Sequence, residues 1–254
     1  MAAGHSPMAQ FEVHKLIPLE LAGYDVSFTN ASLWMLFAVA GASLLVYAGV
    51  KRDGIVPSRV QSVVELMYDF IERQTVLSVM GEEGRKFLPF IFTLFMFIFF
   101  TNFLGLVPYS FTVTSHIIVT FAMALSVFAL VLVVGFWTHG LHFFSLFVPS
   151  GAPAWILPVI VPIEIISFLS RPISLSVRLA ANMLAGHTML KVFAGFIVTM
   201  LGAGGAFAFL SIAPLIAGVA VTALEFLVAA IQAWVFALLT CIYLNEAVHL
   251  HEHH

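Results

Sequence analysis

Four side chains that carry or exchange charge, Glu164, Arg178, His187 and Glu225, lie inside long apolar runs in the C-terminal part of a 254-residue sequence. Histidine exchanges a proton near neutral pH, and burial raises the proton affinity of a carboxylate. Glu164, His187 and Glu225 are therefore a set able to take up and release protons away from bulk water. Arginine keeps its proton and stays a fixed positive charge, at a cost of several kcal/mol in an apolar helix. Its neighbours are neutral: Ser174 and Asn182 lie one turn before and after Arg178. An arginine so placed points to a counter-charge on another chain. Glu164 precedes it and His187 follows it, so the order reads as two half-paths for protons with an electrostatic gate between them.

The elements holding these groups must be membrane helices. Of the residues 61% are apolar and only 9% charged, whereas a soluble domain is roughly a quarter charged. With a mean hydropathy of +1.07, the outer surface must itself be apolar, which calls for a hydrocarbon solvent. A net charge of −3 argues against a nucleic-acid partner, and the single cysteine, Cys241, excludes an intramolecular disulfide framework.

The expected fold class is all-α and polytopic, with about five membrane-inserted helices, one amphipathic surface helix and a last pair forming a long, steeply inclined antiparallel hairpin. Residues 1–28 are mixed and polar, with Glu12, Lys15, Glu20 and Asp25, and read as an extracytoplasmic flank rather than a cleaved signal. Span 1 covers 29–50 and stops at Lys51, Arg52 and Asp53. From 57 to 80 apolar residues recur at helical spacing opposite Gln61, Glu65, Asp69 and Arg73, the pattern of a helix lying on the membrane surface. No Asp, Glu, Lys or Arg then occurs between Lys86 and Glu164. That gap holds span 2 at 87–108, a turn at Pro108, Tyr109 and Ser110, span 3 at 113–138, and a returning loop with Pro149, Gly151 and Pro153. Lys51, Arg52, Arg59, Arg73, Arg85 and Lys86 gather on the connection after span 1, which puts it in the cytoplasm and the N-terminus outside.

Two long helices are expected at 154–201 and 206–246, joined at the Gly202-Ala203-Gly204-Gly205 turn, with 247–254 a cytoplasmic tail. Pro158, Pro162, Pro172, Gly186 and Gly195 are interruptions a membrane helix absorbs. The first helix would be about 70 Å long, so it must break or lie tilted in a core roughly 30 Å thick. An antiparallel register about that turn sets Arg178 level with Gln232 and His187 level with Glu225. Glu225, Gln232 and Tyr243 share a face, being seven and eleven residues apart. Ser174, Arg178 and Asn182 form a second stripe, with Glu164 and Arg171 close to it. His187 lies half a turn round from Arg178, which a distortion at Gly186 would correct.

Nothing in the sequence indicates catalysis in water, since it carries no Gly-rich phosphate loop with lysine and no nucleophile paired with a base. No cofactor is expected. The terminal His249, His251, His253 and His254 are read as a solvated tail, with no metal site. A self-contained transporter would show internal repeats, of which the sequence has none, and a purely structural subunit would not keep Glu, His and Arg in apolar helices.

Three stretches carry a family resemblance. One runs from Ser170 to His187 through Arg171-Pro172, Arg178, Asn182 and Gly186-His187. Another is Ile231-Gln232-Ala233-Trp234 continuing to Leu239-Thr240-Cys241-Ile242-Tyr243-Leu244, and the third is Asn102-Phe103-Leu104-Gly105-Leu106-Val107-Pro108. They resemble subunit a of the membrane sector of F-type ATP synthases, over nearly the whole chain. The resemblance implies a non-catalytic stator in a bacterial inner membrane, N-terminus periplasmic and C-terminus cytoplasmic. Its partners would be a rotating ring of c subunits, the peripheral-stalk b subunits and the remaining subunits of the complex. Arg178 matches the family's essential arginine and Gln232 its neighbour on the last helix. His187 and Glu225 match the outer half-channel pair, in the order of mitochondrial and α-proteobacterial members, and Glu164 matches an acid near the inner half-channel. His116, after Thr114-Ser115, stands where many bacterial relatives carry Asp.

Overall fold

The structure is a computed structural model that describes residues 12–18, 20–21, 24–25, 27–50, 57–107, 110–148 and 155–249. Lys51, Arg52 and Asp53, the Pro108-Tyr109 turn, the loop residues Pro149, Gly151 and Pro153, and the terminal His251, His253 and His254 fall outside that set. Five helical stretches are long and apolar enough to cross a bilayer: Asn30–Val50, Arg59–Gly105, Ile117–Phe147, Leu157–Ala203 and Ala206–Val248. The chain is an all-α polytopic fold.

Before the first helix the backbone forms short extended pairs that no alternating apolar pattern announces. Strand β1 (Lys15–Ile17) pairs antiparallel with β4 (Phe28–Thr29), and β2 (Glu20–Leu21) with β3 (Tyr24–Asp25). Helix α1 (Asn30–Val50) opens at a residue whose amide side chain also grips the strand segment. Asn30 Nδ2 donates to the Glu12 carbonyl at 3.1 Å, the His14 amide donates to Asn30 Oδ1 at 3.2 Å, and the Asn30 amide donates to the His14 carbonyl at 3.1 Å.

Helix α2 (Arg59–Ile71) starts where Ser58 Oγ accepts the Gln61 amide at 3.2 Å, satisfying one of the donors that a helix start leaves open. Its polar face carries a Gln61 to Glu65 hydrogen bond of 2.8 Å, while Val64 and Ile71 are buried. A π-helical turn, Glu72–Val76, follows, then α3 (Leu77–Met80). The wide turn buries Thr75 and Val76, and Thr75 Oγ1 accepts the Trp234 indole N–H at 3.1 Å. The amphipathic segment is thus packed on the last helix through Thr75. Gly81, at φ 62°, ends α3, and a tight 3₁₀ segment leads into α4 (Leu88–Gly105). Arg85 bridges Glu72 at 3.3 Å and Glu82 at 3.1 Å across this corner.

Helix α5 (Ile117–His139) buries Ala124, Val127 and Val131, and Gly135 leaves the room that the Phe143 ring occupies. Helix α6 (Leu157–Ala203) runs unbroken for 47 residues with Pro162 and Pro172 inside it. At 1.5 Å per residue it is about 70 Å long, so in a membrane it must incline or project. The reversal is made by Gly204 and Gly205, at φ 67° and 59°, a backbone region that a side chain disfavours, whereas Gly202 belongs to the helix. Helices α7 (Ala206–Leu210) and α8 (Ile212–Val248) return antiparallel to α6.

The chain divides into two compact units, each including part of both long helices: Met1–Leu44 with Met96–His116 and Leu179–Ala233, and Leu45–Phe95 with Ile117–Arg178 and Trp234–His254. In the first, Asn102 is fully buried and donates to the Ala229 carbonyl at 3.2 Å, while Phe103 stacks on Phe99 at 4.2 Å. In the second, Phe168 is the hub of an aromatic cluster with Phe128 at 5.0 Å and Phe147 at 5.4 Å.

Candidate functional site

Within the first unit the hairpin brings His187 and Glu225 together, with His187 Nε2 3.7 Å from Glu225 Oε1. Glu225 is only 5% exposed, and neither of its oxygens has a hydrogen-bond partner among the described residues. A buried carboxyl left that way is costly to keep without a partner, and the His187 imidazole is the polar group facing it. His187 Nε2 also lies 3.0 Å from Thr112 Oγ1. Thr112 reaches it because the chain turns back after α4: its hydroxyl contacts the Gly105 carbonyl at 3.4 Å, and a Cβ at Gly105 would fall 3.0 Å from its methyl. No sequence pattern marks Thr112, since loop residues acquire such roles only through tertiary contact.

Gly186 has a different use from the one expected. The helix continues through it undistorted, and a Cβ there would fall 2.5 Å from Glu225 Oε1 and 2.8 Å from its Cδ. The missing side chain is the space in which the Glu225 carboxyl sits. His187 faces Glu225 of α8, and Arg178 is exposed.

One turn nearer the start of α6, Asn182 Nδ2 donates to Gln232 Oε1 at 3.0 Å. Gln232 is 4% exposed, and its amide nitrogen has no partner among the described residues. The partner of Gln232 within this unit is thus Asn182, one turn after Arg178 in the sequence. His116 stacks on Phe111 at 4.9 Å, and burial lowers its proton affinity from the ordinary imidazole value.

Within the second unit Glu164 lines a cavity of about 190 Å³ with Arg171, Glu246 and His249. Arg171 is ion-paired to Glu246, and its guanidinium lies over two rings, Phe168 at 5.3 Å and Tyr243 at 5.0 Å. Tyr243 thereby joins Glu164 around one arginine. Glu246 was missed by sequence reasoning, although its place three residues after Tyr243 on one helical face was the available signal. His249 lies 3.4 Å from Glu83, and His139 Nε2 lies 2.9 Å from the Val248 carbonyl at the end of α8.

Ser174 enters neither cluster, and Arg178 acts on the second through the charge it presents to Tyr243. Both are exposed, on a stripe of α6 shared with the exposed Ala181 and Ala185. Among the described residues Arg178 makes no hydrogen bond or ion pair. Small side chains flanking an exposed arginine let another backbone come close to it.

Known sequences fit this arrangement. The family model described as ATP synthase A chain matches residues 31–245. The "ATP synthase subunit a" of Chelativorans sp. (strain BNC1) is 56% identical over 243 residues, covering 96% of this chain and 97% of the relative. That of Agrobacterium fabrum is 56% identical over 250 residues, covering 96% and 98%, and that of Parvibaculum lavamentivorans 56% over 243 residues, covering 96% and 93%. A family match over residues 31–245, with relatives covering 96% of the chain, leaves one assignment: the chain belongs to the ATP synthase A chain family.

Proposed function

We propose that this protein is the proton-channel subunit of the membrane sector of a bacterial ATP synthase. It works as a stator that gives a rotating ring of c subunits two offset half-paths, separated by Arg178. The observation carrying the reading is the division of the polar groups: one cluster holds His187, Glu225, Asn182 and Gln232, the other holds Glu164 and Tyr243 with Arg171 and Glu246, and Arg178 stands exposed, hydrogen-bonded to neither. Along α6, Arg178 is about 21 Å from Glu164 by helical rise and precedes His187 in the sequence by more than two helical turns. A proton does not cross such gaps by one hydrogen bond, and in this reading a moving carrier takes it between the clusters. A ring carboxylate that docks beside Arg178 is that carrier. The exposed Ser174, Ala181 and Ala185 leave room for the ring helix.

In this reading the N-terminus is periplasmic and the C-terminus cytoplasmic, following the Arg and Lys residues around α2 and α3. The His187 cluster then opens outward and the Glu164 cluster inward. The subunit itself does no nucleotide chemistry. The b subunits of the peripheral stalk and the other subunits hold it against the torque of the ring.

The test is ATP-driven proton pumping by membrane vesicles carrying the whole complex. Glu164→Gln removes one inner acid but leaves Glu246, so pumping is expected to fall by about tenfold, with Gln61→Ala as the surface control. Full pumping by both Glu164→Gln and Glu246→Gln would exclude the inner half-path as drawn. Gly186→Ala tests the outer side. The added methyl pushes the Glu225 carboxyl away from His187, and a displacement near 1 Å slows proton transfer by about tenfold to hundredfold. Normal pumping by Gly186→Ala would show that this pairing is not used.

A further inference from the structure

On the unit that holds His187 and Glu225, a cavity of about 960 Å³ is walled by α6 through His187 and Lys191, and by the N-terminal segment through Glu12 and His14. At roughly 30 Å³ per molecule such a space holds on the order of 30 waters. Those four are the titratable side chains on its described wall. The remaining wall, from α1, the end of α4, the loop after it and Thr222 of α8, brings no further charge.

The N-terminal segment is fixed in place by a specific latch. Asn30 donates to the Glu12 and His14 carbonyls and accepts the His14 amide, so it holds the segment through the backbone of Glu12 and His14, and the pairing of β1 with β4 continues the attachment. The latch uses neither side chain, and both are exposed at the cavity. A segment with merely a covering role would not need a carboxylate and an imidazole there.

We propose that Glu12 and His14 are proton-collecting residues, held at the outer mouth by the Asn30 latch, which pass protons through the cavity water to His187 and Glu225. The proposal rests on the half-path reading above. Supply is the reason such residues matter. At pH 8 a single site fed at a diffusional limit of about 10¹⁰ M⁻¹s⁻¹ meets only about 100 protons per second, and at pH 6 a hundredfold more. A carboxylate and an imidazole at the mouth enlarge the target. The Glu12 charge also offsets the positive field of Lys191, which faces the same water and opposes the entry of cations.

The experiment is ATP synthesis by the reconstituted holoenzyme at constant total driving force, with the side facing the N-terminus held at pH 6.0 or at pH 8.5. Glu12→Gln combined with His14→Asn is expected to slow synthesis about threefold at pH 8.5 and to leave it unchanged at pH 6.0. Asn30→Ala, which frees the segment but keeps both side chains, should reproduce that pH-dependent loss. Equal rates at pH 8.5, or an equal loss at both pH values, overturns the collecting role. Glu225→Gln in the same liposomes separates the two claims. If it stops synthesis while the double variant is normal at pH 8.5, only the collecting role falls; if it too has no effect, the half-path reading falls with it.

Discussion

Vesicles carrying Arg178→Ala are expected to pump protons at least about a hundredfold more slowly than the parent, with the complex still assembled. The estimate comes from the charge itself. A guanidinium and a carboxylate about 4 Å apart at an effective dielectric near 20 attract by about 4 kcal/mol, a factor of roughly 10³ in occupancy. In the mechanism proposed above, a ring carboxylate without that attraction has no reason to give up its proton at this point of its travel. Nothing in that mechanism then prevents a proton from passing straight between the proposed half-paths. Arg178 is exposed and bonded to no described residue, so its loss leaves no buried partner behind and the fold should tolerate it. Arg178→Lys keeps the charge but loses the planar fork, and is expected to recover only part of the activity. Undiminished pumping by Arg178→Ala, with normal assembly, would make the arginine a structural ion and remove the gate.

The second large effect is expected at Glu225. Glu225→Gln keeps the shape of the side chain and removes the exchangeable proton, so ATP synthesis should fall by about 10² or more. Its structural consequence should have the opposite sign. The carboxyl is 5% exposed with neither oxygen hydrogen-bonded among the described residues, so a neutral amide should leave thermal stability equal or slightly raised. Co-measurement of thermal unfolding and synthesis therefore separates a proton carrier from a structural residue. Loss of both together, or of neither, would count against the role given to Glu225.

Much of this architecture is legible in the sequence because a bilayer imposes strict rules on backbone hydrogen bonding and on length. The absence of charge between Lys86 and Glu164, and the absence of a strong turn before Gly204, specify long apolar helices almost unaided. The fold class follows from that. The level of His187 with Glu225 follows from counting back from the turn. Gln232 is different: it bonds Asn182, one turn past Arg178, because α6 runs on through Gly202 and Ala203 before the chain reverses. A small shift at the turn changes partners one helical turn at a time.

What stays hidden in the sequence depends on contact across distant segments. Thr112 becomes a partner of His187 only when the chain after α4 folds back on Gly105. Gly186 looks like a flexible point in a long helix, yet its purpose is set by a carboxyl 39 positions away. The short strands carry too few residues for a period-two pattern to register, and the Asn30 latch uses backbone groups that have no sequence signature.

The unbroken run of α6 has a mechanical consequence. Two prolines each remove a hydrogen bond from it, yet the helical backbone continues without a break from Leu157 to Ala203. The continuous hydrogen-bonded backbone offers no intervening loop in which a sideways load on Arg178 would be absorbed. In the mechanism proposed above, the elastic give of the motor then lies in other parts, away from the residue where charge changes hands.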